Sequence, residues 1–273
     1  MLTRKKIAVI GAGHLGSALI GGIIKAKRVP SKNIVATRRQ PAALEELRRR
    51  WGIQAISDNR KAVRGADIVI LAVKPQTAAQ ALDEIAPDVN EKQIFISVMA
   101  GLKTDWISDR LRKNCPVVRA MPNTPVLVDE GATAIAKGAH ASDKDLEAAK
   151  TIFSAVGIVE VVPERLMDAV TGLSGSGPVY IYMVIEALTD AGVRVGIPRK
   201  TAARLAAQTV YGAAKLVIET GKHPAVLKDD VTTPGGTAIA AIHVLESKGL
   251  RTDLMDAVVA ATKRSEELSQ AEE

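Results

Sequence analysis

The stretch that decides the fold is Lys6-Ile7-Ala8-Val9-Ile10-Gly11-Ala12-Gly13-His14-Leu15-Gly16. A short β-branched run leads directly into a GxGxxG loop that opens a helix. That spacing alone is weak evidence, but strand, loop and helix in this order within a βαβ unit make it strong. The first glycine permits a tight turn, the second lets backbone approach a pyrophosphate, and the third allows the helix to pack closely on the strand. A phosphate then sits at the helix N-terminus. Gly11, Ala12, Gly13, His14, Leu15 and Gly16 are therefore expected to hold a dinucleotide; the competing reading is a glycine turn that binds nothing.

Working outward, the next strand ends in Thr37-Arg38-Arg39. A site selective for NAD usually carries Asp or Glu there to bind the ribose hydroxyls. Two guanidinium groups suit a 2′-phosphate instead, so NADPH is the expected cofactor, with NADH possible. The alternative is a solvated start to a basic helix continued by Arg48 to Arg50. Ligands of open parallel sheets bind beyond the carboxyl ends of strands. Ala72-Val73-Lys74-Pro75 and Val98-Met99-Ala100-Gly101 occupy two more such ends, with backbone contact expected for most of them.

Short β-branched runs alternate with helix-length amphipathic stretches through about residue 162, the pattern of a parallel sheet with crossover helices. Strands are expected at 6–10, 34–37, 68–73, 94–98 and 117–119, with 132–136 and 158–162 extending the sheet. Helices are expected at 41–51, 75–85 and 144–156, where Pro41 and Pro75 suit a first helical turn. After Pro163 the strands disappear and apolar residues recur at helical spacing through 180–188, 202–218, 239–245 and 254–268. The expected fold class is an α/β Rossmann-like domain with a mostly parallel sheet, residues 1–163, followed by an all-α domain, residues 164–273.

Composition narrows the function. The net charge of +7 favours anionic ligands, but aromatic residues make up only 3%, too few for base-stacking platforms, so no nucleic-acid partner is expected. The single cysteine, Cys115, excludes an internal disulfide framework, and the four histidines are scattered without metal-ligand spacing. Arg4, Lys5 and Lys6 before Ile7 to Ile10 imitate a signal peptide, yet the apolar run is too short for one and ends in the glycine loop. A cytoplasmic protein without membrane segments is expected.

In the second half, Val231-Thr232-Thr233-Pro234-Gly235-Gly236-Thr237-Ala238 forms a polar, glycine-bearing turn at the start of a helix. Its free amides and hydroxyls are a candidate carboxylate site; a Thr-capped helix start with no ligand is the alternative. Leu173-Ser174-Gly175-Ser176-Gly177-Pro178 is a second such turn. The paired Asp229 and Asp230 read first as solvated or capping carboxylates.

Taken with Val73-Lys74-Pro75-Gln76, Arg119-Ala120-Met121-Pro122-Asn123-Thr124-Pro125 and Gly196-Ile197-Pro198-Arg199, these motifs resemble the pyrroline-5-carboxylate reductase family over nearly the whole chain. The resemblance implies reduction of 1-pyrroline-5-carboxylate to proline by NAD(P)H, the last step of proline biosynthesis. It also implies a helical dimerisation domain interlocked with a partner copy, with dimers commonly assembled into rings. Carried over residue by residue, cofactor contacts fall on the glycine loop, Arg38, Asn59, Ala72 to Pro75 and Val98 to Ala100. Substrate contacts fall on Glu164 and on Asp230, Val231, Thr233, Gly235, Gly236 and Thr237, with amides near Gly236 and Thr237 holding the carboxylate. Ala238 stands where the family usually has a threonine whose hydroxyl is directed at the ring nitrogen, so the catalytic position is Ala238 with Thr237 beside it. Asp230 stands where Asn or Gln is commoner. A reductase of another cyclic imine or a hydroxy acid, and a cofactor-binding regulatory protein with weak turnover, are the other readings.

Overall fold

The computed structural model describes residues 2–270. Eight strands make one sheet in the order β3-β2-β1-β4-β5-β6-β7-β8. They are β1 (Ile7–Ile10), β2 (Ile34–Thr37), β3 (Gln54–Ile56), β4 (Ile68–Leu71), β5 (Ile94–Ser97), β6 (Val117–Met121), β7 (Gly131–Lys137) and β8 (Gly157–Val161). All pair in parallel except β6 with β7. β1 and β4 are buried at every position, as strands covered by helices on both faces must be.

The two-residue period of a strand divides the apolar residues between the faces. Ile7, Val9, Ile68, Ile70 and Val118 join Leu19, Ile20 and Ile23 of α1 (His14–Lys25) and Phe153 of α6 (Asp143–Phe153) in one core. Ala8, Ile10, Val69, Leu71 and Phe95 join Leu82 and Ile85 of α4 (Ala78–Ile85) and Ile107 and Leu111 of α5 (Thr104–Leu111) in the other. α2 (Pro41–Trp51) begins with proline in its first turn and stops at Gly52, whose φ of +62° is the left-handed stop that glycine adopts freely. α6 is entered through a reciprocal Ser142–Asp145 capping box. The short α3 (Asn59–Val63) completes the helices of this region up to β8.

Compactness divides the chain after Ser176, with residues from Val259 on returning to the first unit. The expected boundary after residue 163 lies earlier, because α7 (Met167–Val170) still packs on the sheet. Met167 is fully buried in a small cluster with Ala134 and Ala136 of β7, against which Met121 also packs. A π-turn, Thr171–Gly175, follows.

The second unit, Gly177–Val258, is entirely helical: α8 (Gly177–Arg194), α9 (Arg199–Thr220), α10 (Pro224–Asp230), α11 (Thr237–Lys248) and the first part of α12 (Leu250–Gln270). Gly192 lets α8 lie directly on α9, since a β-carbon there would stand 2.8 Å from that of Ala202. Many of its large apolar side chains face outward: Tyr182 is 57% exposed, Leu205 55% and Met255 61%. Apolar surface on this scale marks an interface.

Candidate active site

The glycine loop lies where the strand order reverses between β1 and β4, the usual place for a ligand in such a sheet. Gly11 has φ +84°, and a β-carbon there would stand 2.6 Å from Val73 Cγ1 and 3.0 Å from the Ala72 carbonyl oxygen. Thr37, buried at the end of β2, fixes the loop from the other side: its hydroxyl accepts the Gly11 N–H at 3.1 Å and its carbonyl accepts the Ala12 N–H at 2.8 Å. A β-carbon at Gly16 would stand 3.3 Å from Val9 Cγ1 and 3.6 Å from the Ala72 β-carbon, so glycine lets α1 lie close on β1 there. Gly13 differs. The nearest atom to a β-carbon there is the Gly11 carbonyl oxygen at 3.9 Å, and no side chain caps the first turn of α1 that Gly13 opens. The second glycine thus leaves uncapped helix amides beside open space.

That space is a cavity of about 490 Å³, in the range of small-molecule sites. Gly11, Gly13, Arg38, Arg39, Asn59, Ala72, Val73 and Lys74 all line it, as the sequence reading expects of cofactor contacts. Among the described residues neither Arg38 nor Arg39 is ion-paired with a carboxylate, and both line the cavity together with Lys74 and Glu84. Asn59 is held by Glu84, donating to its Oε2 at 2.9 Å, and Glu84 also lines the cavity without having been anticipated. Other expected contacts lie off this cavity. Ala12 is fully buried, Pro75 starts a 3₁₀ turn, and Val98 and Met99 are buried beyond β5 with Ala100 exposed. His14 lines a separate space of about 150 Å³ with Arg38 and Trp51, and Leu15 packs against the core.

Midway along β6 the structure assembles a group that the sequence alone does not reveal. Arg119 is 3% exposed, and its guanidinium lies 3.8 Å from Glu164 Oε1 and 3.7 Å from Asp168 Oδ1. Burial pulls its pKa below the ordinary arginine value, with Asp168 and Glu164 opposing the shift. Glu164 was expected to contact substrate; here both its oxygens are engaged, accepting the Thr104 N–H at 2.8 Å and the Thr104 hydroxyl at 2.6 Å. The carboxylate stabilises the N-terminus of α5, as an acid at a helix start does. The signal was an arginine inside the apolar run Val117-Val118-Arg119-Ala120, since a buried charge requires partners. Which acids supply them is not encoded locally. Beside this group, Gly175 of the π-turn abuts Met121: a β-carbon there would stand 2.8 Å from the Met121 methyl carbon.

In the helical unit, the turn between α10 and α11 has the expected form. Gly235 has φ +68°, and a β-carbon at Gly236 would stand 2.3 Å from the Thr233 hydroxyl, so both glycines are required by the turn. The Gly236 N–H is already given to the Thr233 carbonyl at 3.0 Å. Thr237 and Ala238 therefore carry the next amides, at the start of α11, which no side chain caps. Val231 and Thr233 are exposed, and Asp230 is bridged by Lys222 at 3.0 Å, which offsets the extra charge noted in the sequence. Cys115 is fully buried and its thiol is pushed up to about 11, so it is no nucleophile at neutral pH.

Comparison with known proteins bears on the whole chain. The family model for pyrroline-5-carboxylate reductase dimerisation matches residues 164–268, and that for NADP oxidoreductase, coenzyme F420-dependent, matches residues 6–101. The pyrroline-5-carboxylate reductase of Methanosarcina acetivorans is 49% identical over 98% of this chain and 99% of its own. That of Escherichia coli is 39% identical over 98% and 99%. Among solved structures, a pyrroline-5-carboxylate reductase from Coxiella burnetii superposes with a TM-score of 0.92 at 36% identity, covering 97% of this chain and 98% of that one. The Plasmodium falciparum pyrroline carboxylate reductase with NADP bound superposes with a TM-score of 0.87 at 30% identity, over 98% and 99%. With a glycine cradle at the sheet's switch point and relatives matched along almost their full length, this chain belongs to the pyrroline-5-carboxylate reductase family.

Proposed function

We propose that the chain reduces 1-pyrroline-5-carboxylate to proline with hydride from a nicotinamide cofactor, NADPH preferred, in the cytoplasm. The observation that carries the cofactor assignment is the cradle at Gly11 and Gly13, which a β-carbon would close or obstruct, beside Arg38 and Arg39, neither of them ion-paired among the described residues. These residues fit a dinucleotide phosphate. Bound there, reduced nicotinamide supplies the hydride. The residues 1–163 act as the dinucleotide-binding domain, and residues 164–273 as the dimerisation and substrate-binding domain.

The chain's own contribution is mainly positioning. A protonated cyclic imine is already an electrophile, so no strong acid is required, and orientation alone can lower a barrier by about 7 to 11 kcal/mol. In this reading the first-turn amides of α11 at Thr237 and Ala238 hold the substrate carboxylate, with Val231, Thr233 and Gly235 shaping the turn. Glu164 acts on the protein side, through Thr104. A hydroxy-acid reductase is disfavoured because the helical half offers no distinct catalytic lysine. Self-association follows from the dimerisation segment and its outward apolar faces, and a ring of dimers is the proposed assembly. A monomer by light scattering at micromolar concentration would overturn it.

Two kinetic results are expected. kcat/KM for NADPH exceeds that for NADH by about tenfold or more, because a charge-assisted hydrogen bond contributes roughly 1.5 to 3 kcal/mol. Equal values, or a preference for NADH, contradict the role of Arg38 and Arg39. Ala238→Thr raises kcat/KM for 1-pyrroline-5-carboxylate about fivefold or more, by restoring a hydrogen bond worth about 1 to 3 kcal/mol to the ring nitrogen. Thr237 does not substitute for it, since successive helical side chains diverge by about 100°. Unchanged or slower turnover in that variant places the nitrogen elsewhere and favours another imine as substrate.

A further inference from the structure

The last turns of α12 are fixed to the first unit by hydroxyl groups. Ser265 and Ser269 are buried, lie four residues apart on one helix face, and reach Asp168 Oδ1 at 2.7 and 3.1 Å. The same oxygen stands 3.7 Å from Arg119, the middle residue of β6. The same helix face stands next to Gly101: a β-carbon added there would come into ordinary contact with it, 3.8 Å from Leu268 C, Ser269 N and Ser269 Oγ. Gly101 has φ +79° and closes the segment Val98-Met99-Ala100 that leaves the carboxyl end of β5. Arg119, Asp168 and the two serines are thus linked from β6 to the face of α12 that borders Gly101 in the loop after β5.

Burying two serines against a half-buried carboxylate here is a poor way to gain stability, since apolar groups of similar size would serve as well or better. What directional hydrogen bonds add is register: they set α12 at one height and rotation against the loop. We propose that Asp168 is a positioning residue that, through Ser265 and Ser269, holds the end of α12 beside Gly101 and so sets the shape of Val98 to Ala100, the strand-end loop that lies off the glycine-loop cavity and that the family resemblance assigns to the cofactor. The proposal rests on the cofactor reading of that loop, and its test separates the two.

The test compares the intact oligomeric enzyme with a Ser265→Ala, Ser269→Ala double variant, which keeps small helix-forming residues and removes both hydroxyls. Two quantities are read: the NADPH dissociation constant, by fluorescence titration, and amide hydrogen exchange in residues 98–102. The expected result is NADPH binding about fivefold weaker and exchange about tenfold faster, with KM for the imine unchanged. Asp168→Asn keeps an acceptor oxygen for the serines and stays within about twofold of the parent in both. Ser269→Ala alone moves both in the same direction by less, and is the variant to read if the double one does not accumulate. Parental exchange and NADPH binding in the serine variants overturn the proposal, as does a fall in melting temperature with no change in either. Ala100→Val, at an exposed position of the loop itself, is the control: if it leaves NADPH binding unchanged, the loop does not meet the cofactor and the reading beneath the proposal fails.

Discussion

Gly11→Ala lowers kcat/KM for NADPH by about a hundredfold or more and lowers the melting temperature with it. Two costs combine at this position. The backbone sits at φ +84°, which costs a residue with a β-carbon about 1 to 2 kcal/mol. The new methyl would also lie 2.6 Å from Val73 Cγ1 and 3.0 Å from a main-chain oxygen, an overpacking that costs roughly 1 to 3 kcal/mol. Rotating the Val73 side chain would not relieve it, because the Ala72 carbonyl oxygen and Val73 Cα, each 3.0 Å away, are backbone. The loop must therefore move, and a displacement of about 1 Å in a positioning element is enough for a hundredfold loss. Gly13→Ala separates the two causes. Its φ of −73° is ordinary and its β-carbon meets nothing closer than 3.9 Å, so the melting temperature stays at the parent value while NADPH binding weakens. If Gly11→Ala keeps the parental KM for NADPH, the loop does not cradle the cofactor.

The parts legible in the sequence are those whose signal is local. Ile34–Thr37 and Pro41–Trp51 are found with the expected bounds because a β-branched run, a proline and a glycine stop each act within a few residues. β3 escaped because Gln54-Ala55-Ile56 is an edge strand with a single fully buried residue, too short to display alternation. α10 escaped for a similar reason: its seven residues, Pro-Ala-Val-Leu-Lys-Asp-Asp, bury none of their side chains and so carry no apolar stripe. In the cleft, the glycine loop and the arginine pair follow from the spacing rule of one βαβ unit. Glu84 reaches Asn59 across 25 residues, and Ser265 reaches Asp168 across 97, separations at which no pattern in a single sequence pairs residues. Glu164 shows the same limit from the other direction, since its acidity was legible and its partner, Thr104, 60 residues earlier, was not.

Arg119→Met lowers the melting temperature by about 4 to 12 °C. Removing one member of a buried ion group typically costs 3 to 5 kcal/mol, because the partner charges are left uncompensated. Here the partners are less deeply set, with Glu164 and Asp168 side chains 26% and 19% exposed and each retaining hydroxyl donors. The lower figure, about 2 to 3 kcal/mol, is therefore appropriate, and a chain of this size loses roughly 2 to 4 °C per kcal/mol. The origin of the loss is testable by a second step. Combining Arg119→Met with Glu164→Gln and Asp168→Asn removes the stranded charges while leaving acceptor oxygens for Thr104, Ser265 and Ser269, so most of the lost stability returns. Thermal unfolding of the single and triple variants reads both. A single variant within about 1 kcal/mol of the parent would mean that the guanidinium is solvated rather than buried. A triple variant no more stable than the single one would mean that the methionine packs badly against Met121 and β7, and that stranded charge is not the cause.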